Sequence, residues 1–534
     1  MQSSTGKTIP KIVPAFCTGI LLWLAWPVMP LTALVFVAFA PLLWLMHQPQ
    51  KGKHFFGQVY VAMLSWNALT TWWIWNATAP GSVGAITVNS LLMCLPWIGA
   101  RKISLKKGRL AGYISLAVFW LCFEHIHLTD WGLSWPWLTL GNVFATKPDW
   151  VQWYEYTGVS GGSFWVLLLN LLFYEWYRLY KTEKKWFPRK TAPAFLLILV
   201  LPIVISYGIK PLPGKGRANG NMVVVQPNID PYEKISAGTF DAQLAKLLTL
   251  SEQAVDTNTR LLIWPETALY SPYGFEEDSL HRNFFLTPLW NFLRKHPQVK
   301  LFTGLESIRR FNSENKTADA KRIGETDQYY ESYNGSVLLD STGVVQTYHK
   351  TMLVPGVETL PGFLKFLSPW FEKFGGTGAG YAKQKERTVI NTGAWKLAPA
   401  ICYESIYGRF MSRYVANGAN LVTIITNDGW WKNTPGHKQH MNYARLRAIE
   451  TRKWVARSAN TGISCFIAPD GRVVQAEPWN VATAIKNNMA MPNGAKTFYV
   501  QNGDIIFWVA SLASAIIVAA LLALWIIKKV KGRN

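Results

Sequence analysis

Three polar side chains stand where apolar runs end: Glu266 in Ile263-Trp264-Pro265-Glu266-Thr267, Lys350 in Tyr348-His349-Lys350, and Cys402 in Ala398-Pro399-Ala400-Ile401-Cys402. Strand ends are where the active sites of layered α/β proteins gather. Cys402 opens Tyr403-Glu404-Ser405, a strand leading into a helix, and a helix N-terminus lowers a thiol pKa toward the nucleophilic thiolate. Each residue alone has a plainer reading. Glu266 could cap a helix, Lys350 could be a solvated surface group, and Cys402 could be a small buried apolar residue.

These residues need a scaffold, and residues 218 to 503 read as one. Short β-branched runs alternate with helical stretches, which favours an α/β layered core. Residues 222 to 226, 260 to 264, 300 to 304 and 420 to 426 read as buried strands. Hairpins are expected around Ser341-Thr342-Gly343 and Pro469-Asp470-Gly471, and helices over about 240 to 256, 279 to 295, 405 to 416 and 438 to 455. The chain shows no internal repeat, P-loop, zinc-type Cys/His spacing or dinucleotide glycine fingerprint, and neither metal nor cofactor is expected.

Outside this region the chain is built for hydrocarbon. Of 534 residues, 50% are apolar and only 16% charged, against roughly 25% charged in ordinary globular proteins. Eight apolar stretches, near residues 10 to 28, 31 to 47, 56 to 75, 82 to 100, 111 to 128, 162 to 180, 193 to 210 and 505 to 527, are long enough to cross a core of about 30 Å. This predicts a membrane domain over 1 to 212, an extramembrane domain over 218 to 503, and a final span with a basic tail over 504 to 534. The first stretch lacks a small-residue cleavage site and reads as a retained helix.

The formal charge of +23 would suit a nucleic-acid binder. Its distribution excludes that reading, because the basic residues cluster in short runs between apolar segments. One set of ends carries Lys51, Lys53, Arg101, Lys102, Lys106, Lys107, Arg109, the run from Arg178 to Lys190, Lys528 and Lys529. The opposite loops are nearly empty. Both termini are therefore expected in the cytoplasm and the large domain on the far side. Cys17, Cys94, Cys122, Cys402 and Cys465 are odd in number and three lie in expected spans, so no disulfide framework is predicted; Cys465 reads as a core strand residue.

Taken together and in order, the segments around Glu266, Lys350 and Cys402 resemble the carbon-nitrogen hydrolase (nitrilase) superfamily, whose catalytic set is Glu, Lys and Cys. Further pieces match: Gln226-Pro227-Asn228, Tyr333-Asn334-Gly335-Ser336, Thr426-Asn427-Asp428-Gly429-Trp430, and Gln439-His440 before Ala444-Arg445-Leu446-Arg447-Ala448. With seven spans before the domain, one after it and Ser134-Trp135-Pro136-Trp137 followed by Gly141, nearly the whole chain resembles the apolipoprotein N-acyltransferase family. The resemblance implies a nitrilase-like αββα sandwich inserted in a polytopic helical membrane domain. It also implies a monomer in the bacterial inner membrane with its catalytic domain outside the cytoplasm.

The resemblance further implies that Cys402 is the nucleophile, Glu266 the general base and Lys350 the stabiliser of developing negative charge. From reference pKa values, moving a proton from thiol to glutamate costs roughly 6 kcal/mol, so burial and the ammonium must bring the pair together. Glu358 would position Lys350 or the incoming amine, although Gly356-Val357 stands before it where the family commonly has Phe-Gly. Tyr403 and Glu404 would shape the pocket. The implied reaction is ping-pong transfer of a fatty acyl group from a phospholipid, through a Cys402 thioester, to the α-amino group of a diacylglyceryl-cysteine apolipoprotein.

Trp137, Trp430 and Trp431 are candidate lipid-facing groups. Glu124, His125 and His127 read as support for the Pro-Trp loop. His440, Arg445, Arg447, Glu450 and Arg457 read as a salt-bridged helix beside the active site, and the glycines from Gly375 to Gly380 as a flexible lipid gate. The alternatives are a membrane-tethered amidase using the same three residues with water as acceptor, and a transporter or scaffold with an inert outer domain. Few buried charges and no pair of broken helices in the spans argue against a transporter.

Overall fold

In hydrocarbon, backbone groups must bond to one another, so long apolar runs become helices. In the computed structural model of the chain, the described residues are 10–184, 188, 190–211, 220–233, 240–271, 273–317, 320–360, 362–367, 380–490 and 494–531. Four helices among them are long and apolar enough to cross a membrane: Ala79–Lys107, Arg109–His127, Thr191–Ile209 and Ile505–Val530.

The other expected spans are helical but differ in ways their residues explain. Ile12–Ala25 has 14 residues, about 21 Å at 1.5 Å per residue, less than a hydrocarbon core. The stretch from 31 to 47 breaks into a 3-10 turn, Thr32–Phe36, and a short helix, Ala40–Met46. Pro41 sits in the first turn of the latter, where its missing N–H costs nothing. Asn170 repairs the break: its amide accepts from the Phe39 N–H at 2.7 Å and donates to the Val35 carbonyl at 2.7 Å. Gly52–Thr71 and Val159–Glu183 bury polar faces that include Asn67, Thr71, Ser163 and Asn170.

The region between the last two long apolar helices forms two sheets from fourteen described strands: β1 Asn221–Gln226, β2 Thr259–Ile263, β3 Phe275–Glu276, β4 Lys300–Asn312, β5 Lys321–Arg322, β6 Gln328–Asp340, β7 Gly343–His349, β8 Ile390–Asn391, β9 Lys396–Ile401, β10 Leu421–Thr426, β11 Trp454–Ala459, β12 Cys465–Ile467, β13 Val473–Ala476 and β14 Thr483–Asn487. The first sheet runs β14-β1-β2-β4-β6-β5, with β3 on β4 and β7 on β6; the second runs β13-β12-β11-β10-β9-β8.

Strand periodicity of two sorts the side chains between the layers. On the first sheet, Val223, Val225, Leu262 and Leu301 pack with Leu244 and Leu289 of helices Phe240–Ala254 and Thr287–Lys295. Their neighbours Met222, Val224, Leu261 and Phe302 join the core shared with the second sheet. Helices Gly408–Ala416 and Pro435–Thr451 cover that sheet's other side. The order is helix, sheet, sheet, helix.

Two helix expectations need correction. Residues 279 to 295 do not form one helix: 3-10 turns Glu277–Arg282 and Phe284–Leu286 precede Thr287–Lys295, which carries Pro288 in its first turn. The helix expected to 455 ends at Thr451, because Arg452 takes a left-handed conformation and β11 starts at Trp454. All five cysteines are free, and Cys465 is buried.

Candidate active site

β2, β7 and β9 end near one another: Lys350 directly follows β7, Cys402 directly follows β9, and Glu266 comes three residues after the last residue of β2. Glu266 lies in the turn after β2, packed against Gly304 of β4. The Gly304 N–H donates to the Pro265 carbonyl at 3.1 Å, and a Cβ at this glycine would come within 2.7 Å of the Glu266 Cα. Only glycine lets the two chains approach so closely.

Cys402 follows β9 with φ +54°, a left-handed conformation that residues other than glycine rarely adopt. Several bonds hold it there. Its carbonyl accepts from Ser405 Oγ at 2.8 Å and lies 3.1 Å from His440 Nε2. The next side chain but one, fully buried Glu404, accepts the Ile401 N–H at 2.8 Å, the Thr351 N–H at 2.6 Å and the Tyr348 hydroxyl at 2.8 Å. It thereby ties the Cys402 turn to the segment carrying Lys350. Burial pushes Glu404 up to about 7, against the pull of those N–H groups and of Lys350.

Lys350 is 1% exposed. Its Nζ donates to Glu358 Oε1 at 2.8 Å and to Glu266 Oε1 at 3.3 Å. Asn334 Nδ2 donates to the same two carboxylate oxygens, at 2.9 Å and 2.8 Å. The Asn427 N–H completes Glu266 at 3.0 Å, and the Val354 N–H completes Glu358 at 2.8 Å. Glu358 thus joins the cluster despite Gly356-Val357 before it. Burial opposes the Lys350 charge, but Glu358 and Glu266 outweigh it and hold the ammonium above its ordinary pKa.

The thiol moves the other way from a preformed thiolate. Burial, then the negative charge of Glu266, push Cys402 well above 9, while Lys350 opposes them. A protonated thiol beside a carboxylate needs a base to become nucleophilic.

Behind Cys402 lies a fully buried ionic cluster that residue spacing concealed. Asp428 Oδ2 accepts from Arg457 at 2.7 Å, and Asp428 Oδ1 lies 3.0 Å from His440 Nδ1. Burial raises the Asp428 pKa, yet the charges of Arg457 and His440 hold it well below the usual carboxylate range. Of the expected salt-bridged helix, Arg447 and Glu450 pair at 2.8 Å, whereas Arg457 lies on β11 and the His440 ring lies against the Cys402 carbonyl. The Asn334 amide was likewise visible only as part of a motif. A polar residue on a buried strand was its one signal.

The tryptophans divide. Trp137 is 1% exposed and is not a lipid-facing group: its Nε1 donates to Gln439 Oε1 at 2.8 Å and its carbonyl accepts the Tyr443 hydroxyl at 2.9 Å. Its loop is pinned to helix Pro435–Thr451 because indole and amide satisfy one another once water is excluded. Tyr403 extends the joint, donating to the Ser134 carbonyl at 2.9 Å. Trp431 is partly exposed and packs edge-on against Trp73; Trp430 packs on Tyr232. Glu124 accepts the Leu140 N–H at 2.8 Å and His127 accepts the Trp135 N–H at 2.9 Å, so both support the Pro-Trp loop. His125 instead bonds Ser511 of the last helix.

Beside this joint is an apolar cavity of about 220 Å³. Val88 and Leu92 of helix Ala79–Lys107 form one wall, Trp135 another, and Val354 to Val357, which lead into Glu358, a third. The glycines Gly375 to Gly378 of the expected gate, with Ala379, lie outside the described residues. Among the described residues, no group of three His, Cys, Asp or Glu side chains could hold a metal ion.

Residues 223–490 match the family model for carbon-nitrogen hydrolase, and residues 18–172 match that for the apolipoprotein N-acyltransferase N-terminal domain. The apolipoprotein N-acyltransferase of Chlorobaculum tepidum is 30% identical over 512 residues, 92% of each chain. That of Geobacter metallireducens is 26% identical over 95% of this chain and 94% of its own. Apolipoprotein N-acyltransferase 2 of Treponema denticola is 26% identical over 79% of each.

Proposed function

The chain belongs to the apolipoprotein N-acyltransferase family of carbon-nitrogen hydrolases, and from that membership we propose how it transfers an acyl group. It is an acyltransferase of lipoprotein maturation, integral to a membrane, with a lipoprotein acceptor. The donor is a membrane phospholipid. Glu266 takes the Cys402 proton as sulfur attacks the ester carbonyl, and the lysophospholipid leaves with that proton. The acyl group rests on sulfur as a thioester. The free α-amino group of an N-terminal diacylglyceryl-cysteine then attacks, Glu266 takes the amine proton, and the proton returns to sulfur as the amide departs.

Lys350 stabilises the oxyanion of each tetrahedral intermediate and favours the thiolate. Glu358 and Asn334 hold that ammonium and Glu266 in register. Glu404 and His440 hold the nucleophile turn, and Tyr403 fixes it to the membrane part. Trp430 and Trp431 lie toward the lipid.

One observation carries the lipid assignment: the segment leading to Glu358 is a wall of an apolar cavity whose opposite wall is a membrane helix. An acyl chain there stays in a hydrocarbon setting, whereas extraction into water costs about 0.8 kcal/mol per methylene. The same feature disfavours a water-accepting amidase. The strongly one-sided basic loops support eight crossings with both termini in the cytoplasm, a membrane domain over 1 to 212, a catalytic domain over 218 to 503 on the far face of a bacterial inner membrane, and a final span over 504 to 534. We take the monomer as the working unit.

The test is intact mass after incubating the detergent-purified protein with a defined phospholipid. The wild type gains one acyl group that hydroxylamine releases, and Cys402→Ala gains none. A gain that survives Cys402→Ala, or no gain in folded wild type across phospholipids and pH, overturns the assignment.

A further inference from the structure

Helix Arg109–His127 borders different cavities at its two ends. His127 lines the cavity beside Glu358. Arg109, about 27 Å away along the axis at 1.5 Å per residue, lines a second cavity of about 670 Å³ between this helix and Val159–Glu183. The second cavity is therefore separate from the reaction site.

Its wall is hydrocarbon, formed by Ile114, Ala117, Phe164, Leu168, Leu171 and Leu172. From Phe164 to Glu175 the wall runs about 16 Å, close to half of a 30 Å core, the depth of one leaflet. Arg109, Tyr113, Glu175 and Arg178 close one end. Among the described lining residues the only carboxylate, Glu175, is taken by Arg178 Nε at 2.8 Å and by the Tyr113 hydroxyl. Arg109 is exposed and forms no ion pair among the described residues. Lys106 and Lys107 precede it on the same end. An apolar trough one leaflet deep, capped by excess guanidinium charge, is complementary to a lipid whose headgroup is anionic, since arginine forks onto phosphate oxygens.

The geometry points to a binding site for one anionic phospholipid on the basic side of the membrane part, its phosphate between Arg109 and Arg178 and one acyl chain along Ile114 and Leu168. The site rests on the membrane reading of these helices and not on the acyl-transfer chemistry. Its occupant is not the acyl donor in its reacting position, because the cavity opens at the other end of the helix.

The test uses the full-length Cys402→Ala protein, in which no acyl-enzyme forms, delipidated in detergent and titrated with phosphatidylglycerol or phosphatidylcholine of identical chains. Native mass spectrometry reads the bound lipid. We expect one phosphatidylglycerol held at least tenfold more tightly than phosphatidylcholine. Arg109→Gln with Arg178→Gln removes that preference. Ala117→Phe, which fills the trough without altering charge, abolishes retention. Lys106→Gln with Lys107→Gln, an equal charge change outside the trough, leaves it largely intact. Equal binding of the two lipids, unchanged binding in Ala117→Phe, or an equal loss in the lysine pair overturns the assignment.

Discussion

Replacing Lys350 by methionine tests the ionic core of the site. Methionine keeps the unbranched stem and removes the charge. In the native site one ammonium serves two carboxylates, at 2.8 Å to Glu358 and 3.3 Å to Glu266, and Asn334 Nδ2 bonds both. Without the ammonium two buried carboxylates keep neutral N–H donors, Asn334 Nδ2 between them and one backbone N–H each, and lose their countercharge. Removing one partner of a buried ion pair costs about 3–5 kcal/mol because the remaining charge is left uncompensated. The reaction loses a second quantity: one oxyanion-stabilising donor is worth about a hundred- to a thousandfold in rate. The two effects separate in the double variant Lys350→Met with Glu358→Gln, which removes one cation and one anion. Thermal unfolding in detergent reads the first effect, and the single-turnover rate of acyl-enzyme formation reads the second. Lys350→Met is expected to melt well below wild type and react at least a hundredfold more slowly. The double variant is expected to recover most of the stability and none of the rate. A single variant at wild-type rate, or a double variant no more stable than the single, refutes the reasoning.

Other perturbations follow from the same geometry. Gly304→Ala puts a Cβ 2.5 Å from the Thr267 nitrogen and 2.7 Å from the Pro265 carbonyl oxygen; these backbone atoms cannot yield cheaply, so stability falls by about 1–3 kcal/mol and the Glu266 turn shifts, whereas native melting with native activity would show that the contact positions nothing. The Cys402 thiol is pushed above its ordinary pKa, so haloacetamide labelling, read by mass against Cys402→Ala, should accelerate with pH through 9 without levelling off below it. A plateau near neutral pH would mean a preformed thiolate. His440→Gln retains an amide N–H able to reach the Cys402 carbonyl, and His440→Leu does not. The leucine variant should lose kcat with little change in KM and the glutamine variant should regain part of it; equal losses in kcat would remove the carbonyl bond from the account.

Much of the site was legible because it lies on short sequence-local patterns. An apolar run that ends in a polar side chain brought out Glu266 and Cys402, and long apolar stretches marked the membrane helices. The missing parts depend on contacts between distant segments. Asn334 bridges Glu266 and Glu358 only because β6 lies beside β4 and β7. His440 is one polar residue on a charged helix until packing presses its ring against the Cys402 carbonyl. Trp137 looked amphipathic enough for lipid, but Gln439, 302 residues away, takes its indole N–H. Helix breaks had similar causes: hydropathy sees an unbroken apolar run over 31 to 47, while Asn170 makes the interruption affordable.

The central claim is that one thioester on Cys402 links two lipid substrates. The direct measurement loads the protein with a phospholipid labelled in its ester-linked chain, removes free lipid, and adds a peptide bearing an N-terminal diacylglyceryl-cysteine. The account predicts that label leaves the protein as amide appears on the peptide α-amino group, one for one and in a single turnover. Label released as free fatty acid at the same rate with or without peptide, or amide formed while the label on the protein stays constant, would contradict it.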